Sequence, residues 1–299
     1  MSEANPNTLT TLQRWHLASR PKTLPAAVSP VLVGWAIALD AGSFEPLPAL
    51  ATLLIAVLIQ IGANLVNDVS DYQKGADTEE RLGPLRVTQA GLLTVRQMWT
   101  GVFVVLGAAA LAGLYLVIHT GWPVLFIGAA SLAGALLYSV GRYSFAATGS
   151  ADFFSMLFFG FAAVCGTVYV LVGSVPLNAW LAAVPVGALV TAILVVNNVR
   201  DIESDRRAGR KTIPARFGRR AGEIEYVALL GLAYLSAIAL WATGEHPWVL
   251  LTWFSLPLAG QRFQDICNLP IGREFNKLLA QTARLTLLYS LLLALGILL

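Results

Sequence analysis

Apolar runs long enough to cross a lipid bilayer recur from one end of the chain to the other, and no other sequence feature limits the possible folds so strongly. A hydrocarbon core of about 30 Å needs roughly 20 apolar residues in a helix. Hydropathy predicts nine such spans, at residues 24–40, 48–68, 98–118, 122–138, 152–172, 179–199, 224–243, 248–263 and 279–299, the eighth short and interrupted by Pro257. In lipid the backbone must satisfy its own hydrogen bonds, so runs of this length read as helices. The expected fold class is all-α, a polytopic membrane protein, with residues 1–23 as a cytoplasmic N-terminal segment and 24–299 as a single transmembrane domain. Composition agrees: 57% of residues are hydrophobic and 12% charged, where a soluble domain carries about 25% charged residues.

The first 23 residues show no apolar core ahead of a small-residue cleavage site, so the first span is expected to be retained. Leu12, Trp15 and Leu17 predict a short interfacial helix before it. The Lys and Arg residues fall as three before the first span, four between the second and third, one between the fourth and fifth, eight between the sixth and seventh, and four around the eighth-to-ninth connection. Positive loops stay in the cytoplasm, which predicts a cytoplasmic N-terminus, an external C-terminus, and chemistry opening to the cytoplasm. The same loops account for the net charge of +3, so nucleic acid is not an expected partner. Cys165, Cys267 and the three His residues are too scattered for a zinc site or a nucleophile signature.

Against this oily background the stretch "NLVNDVSDYQKGAD", from Asn64, is out of character, and it has an echo in "NNVRDIESDRRAGRKTIPARFGRR", from Asn197. Asn64 and Asp68 are four apart with Asp71 three further on, and Asn197 and Asp201 are four apart with Asp205 four further on. At helical spacing each set lines one face. Each is followed by a basic, glycine-containing loop. One Asp at a helix end is ordinarily a solvated terminus; two such sets with matching loops point to a shared site. Magnesium prefers oxygen ligands and bridges a few carboxylates to substrate phosphates, helix C-termini favour cations, and Arg binds phosphate oxygens in pairs. The predicted ligand is a diphosphate.

These motifs, with "RPKTLPAAVSPVLVGWAIA" from Arg20, "RLGPLRVTQAG" from Arg81 and "FFGFAAVCGTVYV" from Phe158, resemble the intramembrane aromatic prenyltransferases of the UbiA superfamily. Within it they look most like the branch that prenylates 1,4-dihydroxy-2-naphthoate in menaquinone biosynthesis. The similarity runs from about Arg20 to Gly218, and the last three spans share only hydropathy. It implies nine helices around a central cavity, with the two Asp motifs facing each other under cytoplasmic loops. It implies transfer of a polyprenyl group from polyprenyl diphosphate to the aromatic acceptor, with loss of diphosphate and CO2, in contact with membrane lipid and with magnesium (Mg2+) as cofactor.

On that resemblance Asn64, Asn67, Asp68, Asp71, Asn197, Asn198, Asp201 and Asp205 are assigned to the magnesium diphosphate site, with Asp68, Asp71, Asp201 and Asp205 as metal ligands. Asp77 either ligates metal or organises its loop. Lys22, Arg81, Arg86, Arg206, Lys211 and Arg216 are candidates for the diphosphate and the acceptor carboxylate. Tyr138 and Asp152 either approach the aromatic acceptor or are an interfacial aromatic and a helix N-terminal acid. Phe153, Phe154, Phe158, Phe159 and Phe161 face lipid or, alternatively, the cavity, where a ring stabilises a carbocation. A different aromatic acceptor, such as 4-hydroxybenzoate or homogentisate, is the alternative within the superfamily; a cation-coupled transporter with paired carboxylates is the alternative outside it.

Overall fold

The structure is a computed structural model that describes residues 9–75, 82–141, 143–244 and 246–299. Thr10 opens α1 (Thr11–Ser19) through a reciprocal cap, its Oγ1 accepting from the Gln13 N–H while the Gln13 side chain accepts from the Thr10 N–H. The chain turns at Arg20, whose φ of 50° is left-handed, makes a 3-10 turn over Pro21–Thr23, and enters α2 (Pro25–Asp40) with a 56° bend. This is the short helix expected before the first span. It packs on the bundle through Trp15, which covers Gly101.

The helices that follow are α3 (Pro46–Gln73), α4 (Val95–Thr120), α5 (Pro123–Leu137), α6 (Phe145–Thr148), α7 (Ala151–Val172) and α8 (Leu177–Arg200). Two short helices, α9 (Ile202–Arg207) and α10 (Ile213–Phe217), lead to α11 (Arg219–Trp241), α12 (Leu256–Asn268) and α13 (Phe275–Leu298). Among the described residues, α3, α4, α7, α8, α11 and α13 are each long and apolar enough to cross a membrane, the bent α1–α2 pair adds a seventh, and α5 is shorter. The chain is an integral membrane protein. Its predicted eighth span is a 3-10 run, Pro247–Ser255, that passes into α12. Pro257 sits in the first turn of α12, where its missing N–H breaks no helical bond.

α8 is the most enclosed helix: the largest buried cluster joins it to α2, α7, α11 and α13. Small residues let these backbones approach, the usual basis of helix association in lipid. A Cβ on Gly160 would lie 2.9 Å from the Ala183 carbonyl oxygen, and one on Gly187 would lie 2.9 Å from the Gly160 Cα. α7 carries a π-helical stretch, Met156–Ala162, at this crossing. A second cluster binds α3 to α4 and α1 through Leu65, Val69, Met98 and Val102.

Between the two clusters lies a cavity walled by α2, α3, α4, α5, α7 and α8. α11 packs along the back of α8, and α13 reaches the cavity only through Asn276 and Leu279. α13 packs on α2 and α8, and the 3-10 run and α12 pack on α11 and α13, so the last three spans stand behind the chamber wall and contribute little to its lining. α3 has 28 residues, a length of about 42 Å at ~1.5 Å per residue. Its polar last turns meet the end of α8 at one mouth of the cavity.

Candidate active site

The cavity has a volume of about 1280 Å3, above the roughly 300–1,000 Å3 of ordinary ligand pockets. Most of its wall is aliphatic or aromatic, with Ile55 and Ile59 from α3, Leu114 from α4, Leu132 from α5 and Ile193 from α8. Polar side chains gather at the end where α3 and α8 finish.

There the two Asp motifs are tied together by arginine. Asp71, buried on α3, accepts from Arg86 Nη2 at 2.7 Å and from Arg210 Nη2 at 2.5 Å. Arg210 also reaches Asp205, Nη1 lying 3.4 Å from Oδ1, and Thr212 Oγ1 donates to the other Asp205 oxygen at 3.3 Å. The loop carrying Arg210 is seated by a close approach at Gly149: the Lys211 N–H donates to the Ala147 carbonyl, and a Cβ on Gly149, whose φ is +79°, would strike the Lys211 carbonyl oxygen. Burial pushes the Asp205 carboxyl up to about 6, and Asp201 adds to the push while Arg210 and Thr212 oppose it.

Asp201 is oriented by Arg200, a guanidinium only 1% exposed, which donates to both of its oxygens at 2.8 and 2.6 Å. Arg200 also donates to Asn197 Oδ1 and, at 2.7 Å, to Asn276 Oδ1, and Asn276 in turn donates to the Leu82 carbonyl at 2.8 Å. On the α3 side Asn64 Nδ2 donates to the Ser19 carbonyl and to Thr23 Oγ1, pinning the turn before α2. Asn67 Nδ2 donates to Ser139 Oγ at 2.9 Å, while Arg20 Nη1 lies 3.5 Å from its oxygen. Arg20, with its left-handed backbone, and exposed Lys22 stand at the cavity mouth.

The structure places several of the residues singled out in the sequence off the cavity wall. Asp68 does not line the cavity; its carboxylate is taken up by the backbone N–H groups of Val87 and Thr88. Arg206 turns away, its Nε donating to the Ala215 carbonyl and its Nη1 pairing with Glu203. Thr212 caps α10; Lys211, just before the cap, and Arg216, on α10, are both exposed, with the Arg216 guanidinium 5.0 Å over the Phe217 ring. Asp152 lies behind the wall, in the first turn of α7, with Asn198 Nδ2 3.4 Å from its Oδ1. Asp77 and Arg81 lie outside the described residues. Tyr138, Asn64, Asn67, Asn197 and Asn198 do line the cavity with Asp71, Arg86, Asp201 and Asp205. The α7 phenylalanines divide: Phe154, Phe158 and Phe159 face the cavity, Phe154 stacking on Phe145 at 3.7 Å between centroids, while Phe153 is exposed and Phe161 packs on Trp180.

Among the described residues no three His, Cys, Asp or Glu side chains converge closely enough to hold an ion by themselves. The cavity-facing donors, the carboxylates of Asp71, Asp201 and Asp205 and the amide oxygens of Asn67 and Asn197, are all hard oxygens. Such a set suits magnesium, which keeps waters and is completed by substrate phosphate, better than a closed protein cage.

The sequence profile described as the UbiA prenyltransferase family matches residues 27–265. The 1,4-dihydroxy-2-naphthoate octaprenyltransferase of Escherichia coli (strain K12) is 35% identical to this chain, over 95% of each sequence. The protein of the same name from Haemophilus influenzae is 32% identical over 96% of each. Among solved structures, a UbiA homolog from Archaeoglobus fulgidus bound to DMAPP and Mg2+ superposes with a TM-score of 0.67, covering 94% of this chain and 99% of that one at 15% identity.

Proposed function

The chain belongs to the UbiA prenyltransferase family, and from that premise we propose that it transfers a polyprenyl group from polyprenyl diphosphate to 1,4-dihydroxy-2-naphthoate, with loss of diphosphate and CO2, giving demethylmenaquinone. The observation that carries this reading is the end-to-end similarity to naphthoate prenyltransferases. The cavity supports it: an apolar chamber ends in facing Asp motifs joined by arginine.

In this reading the diphosphate lies at the polar end, where Arg86 and Arg210 present guanidinium groups to its oxygens. Asp71, Asp201 and Asp205, with Asn67 and Asn197 nearby, would hold magnesium, which would supply charge neutralisation for the leaving group. The allylic C–O bond breaks with both electrons passing to diphosphate. A ring carbon of the acceptor then supplies the pair for the new C–C bond, and the carboxyl departs as CO2, returning its bonding pair to the ring. No protein nucleophile is needed. Phe154, Phe158 and Phe159 exclude water and turn ring faces toward the developing carbocation. Arg20 and Lys22 at the mouth meet the acceptor carboxylate. The Lys and Arg distribution supports a cytoplasmic N-terminus and a mouth on the cytoplasmic side.

Purified protein in detergent, supplied with 1,4-dihydroxy-2-naphthoate, 4-hydroxybenzoate or homogentisate and a labelled short prenyl diphosphate, tests the assignment. A magnesium-dependent prenylated naphthol with release of CO2 is the expected product. Turnover with only one of the other acceptors would discard the naphthoate reading.

A further inference from the structure

Asp68 and Asp71 lie three residues apart on α3, which at ~100° per residue puts their side chains about 60° apart around the helix. Asp71 enters the cavity; Asp68, 1% exposed, faces the loop between α3 and α4. Both Asp68 oxygens are engaged there. Val87 N–H donates to Oδ2 and Thr88 N–H to Oδ1, each at 3.1 Å, with Arg20 Nη2 3.7 Å from Oδ2. The turn holding these amides is closed by its own backbone bonds, from Ala90 N–H to the Arg86 carbonyl, Gly91 N–H to Thr88 and Leu92 N–H to Val87.

The position of this clamp in the chain gives it a function. The Val87 amide belongs to the peptide unit that begins at Arg86, so whatever holds that N–H fixes the Arg86 Cα across one rigid peptide. Arg86, itself buried, sends Nη2 2.7 Å to Asp71. A single turn of α3 therefore supplies both an acid for the cavity and the anchor that brings that acid its guanidinium partner. Paired charge-assisted bonds from backbone amides to a carboxylate are strong and directional, and they leave Asp68 no path to the cavity.

We propose that Asp68 is a positioning residue, which holds the α3–α4 loop by the Val87 and Thr88 amides so that Arg86 meets Asp71 and the diphosphate. The diphosphate half of this statement rests on the function proposed above; the clamp itself does not. Hydrogen exchange by mass spectrometry on the full-length protein tests the clamp independently of any substrate. In the wild type, Val87 and Thr88 are expected to be protected, and in Asp68→Ala to exchange about tenfold faster or more, since one charge-assisted bond is lost at each. Asp68→Asn, isosteric and retaining one acceptor oxygen, falls between. In turnover, Asp68→Asn is expected to raise the KM for a short prenyl diphosphate about tenfold while the magnesium concentration for half-maximal rate stays put; Asp71→Asn shifts that concentration instead. Unprotected Val87 and Thr88 amides in the wild type, or a magnesium shift in Asp68→Asn as large as in Asp71→Asn, would overturn the proposal. If no acceptor is turned over, the functional reading fails and the exchange result still decides the clamp.

Discussion

Arg210 joins the two motifs, and replacing it gives the sharpest test of the geometry. Its Nη2 sits 2.5 Å from Asp71, a full charge-assisted bond, whereas Nη1 is 3.4 Å from Asp205, beyond the usual range for an N–H···O contact. Counting one strong contact and a weak one, its removal costs about 2–3 kcal/mol of charged hydrogen bonding. If the same contact strength passes to the departing diphosphate, Arg210→Ala lowers kcat/KM roughly 30- to 150-fold, in line with the loss of one preorganised donor at a developing anion. Arg210→Lys keeps the charge but offers a point donor in place of a planar fork, and is expected to recover about a tenth of wild-type activity. Lys211, the next residue, is exposed and off the cavity wall, so Lys211→Ala is expected to stay within about twofold. Initial rates of naphthol prenylation in detergent at saturating magnesium provide the assay. Equal losses in Arg210→Ala and Lys211→Ala, or near wild-type rates in Arg210→Ala, would refute the reasoning.

Further outcomes are expected from the same structure. Asp205→Asn raises the magnesium needed for half-maximal rate by about tenfold or more, read from a magnesium titration of activity, because a neutral amide replaces a buried carboxylate ligand. EDTA abolishes turnover and added magnesium restores it, with the melting profile monitored to show that the fold persists. Phe154→Ala slows transfer by roughly 2- to 30-fold through loss of a cation–π face, and Phe153→Ala, on the exposed side of the same helix, leaves the rate unchanged. Gly187→Val lowers the thermal stability of detergent-solubilised protein by about 1–3 kcal/mol, since its side chain must displace the Gly160 backbone. A melting curve equal to wild type would show that the crossing is looser than the structure has it.

The membrane class, the helical fold and the two Asp motifs are all legible in the sequence, because each rests on local physics. A run of apolar residues must become a helix in lipid whatever its neighbours do. Spacing along that helix decides which side chains share a face. By the same local logic Asn64 to Asp71 and Asn197 to Asp205 come to the same end of the bundle, their two helices running in the same direction.

Tertiary structure decided the rest. Sequence spacing gives Asp68 and Asp71 equal claims on the cavity, yet the packing of α3 against α4 rotates one toward the loop amides and the other toward Arg86 and Arg210. Of the basic residues after α8, Arg206, Arg210, Lys211 and Arg216 look alike as a string. The turn at Gly209, the Thr212 cap and the Gly149 contact send only Arg210 inward. Arg200, the buried partner of Asp201, resembles an ordinary topology-setting charge until Asn276, 76 residues later, is seen beside it. Such assignments depend on contacts between elements far apart in the chain, and a local pattern carries no record of which way a side chain will turn when those elements meet.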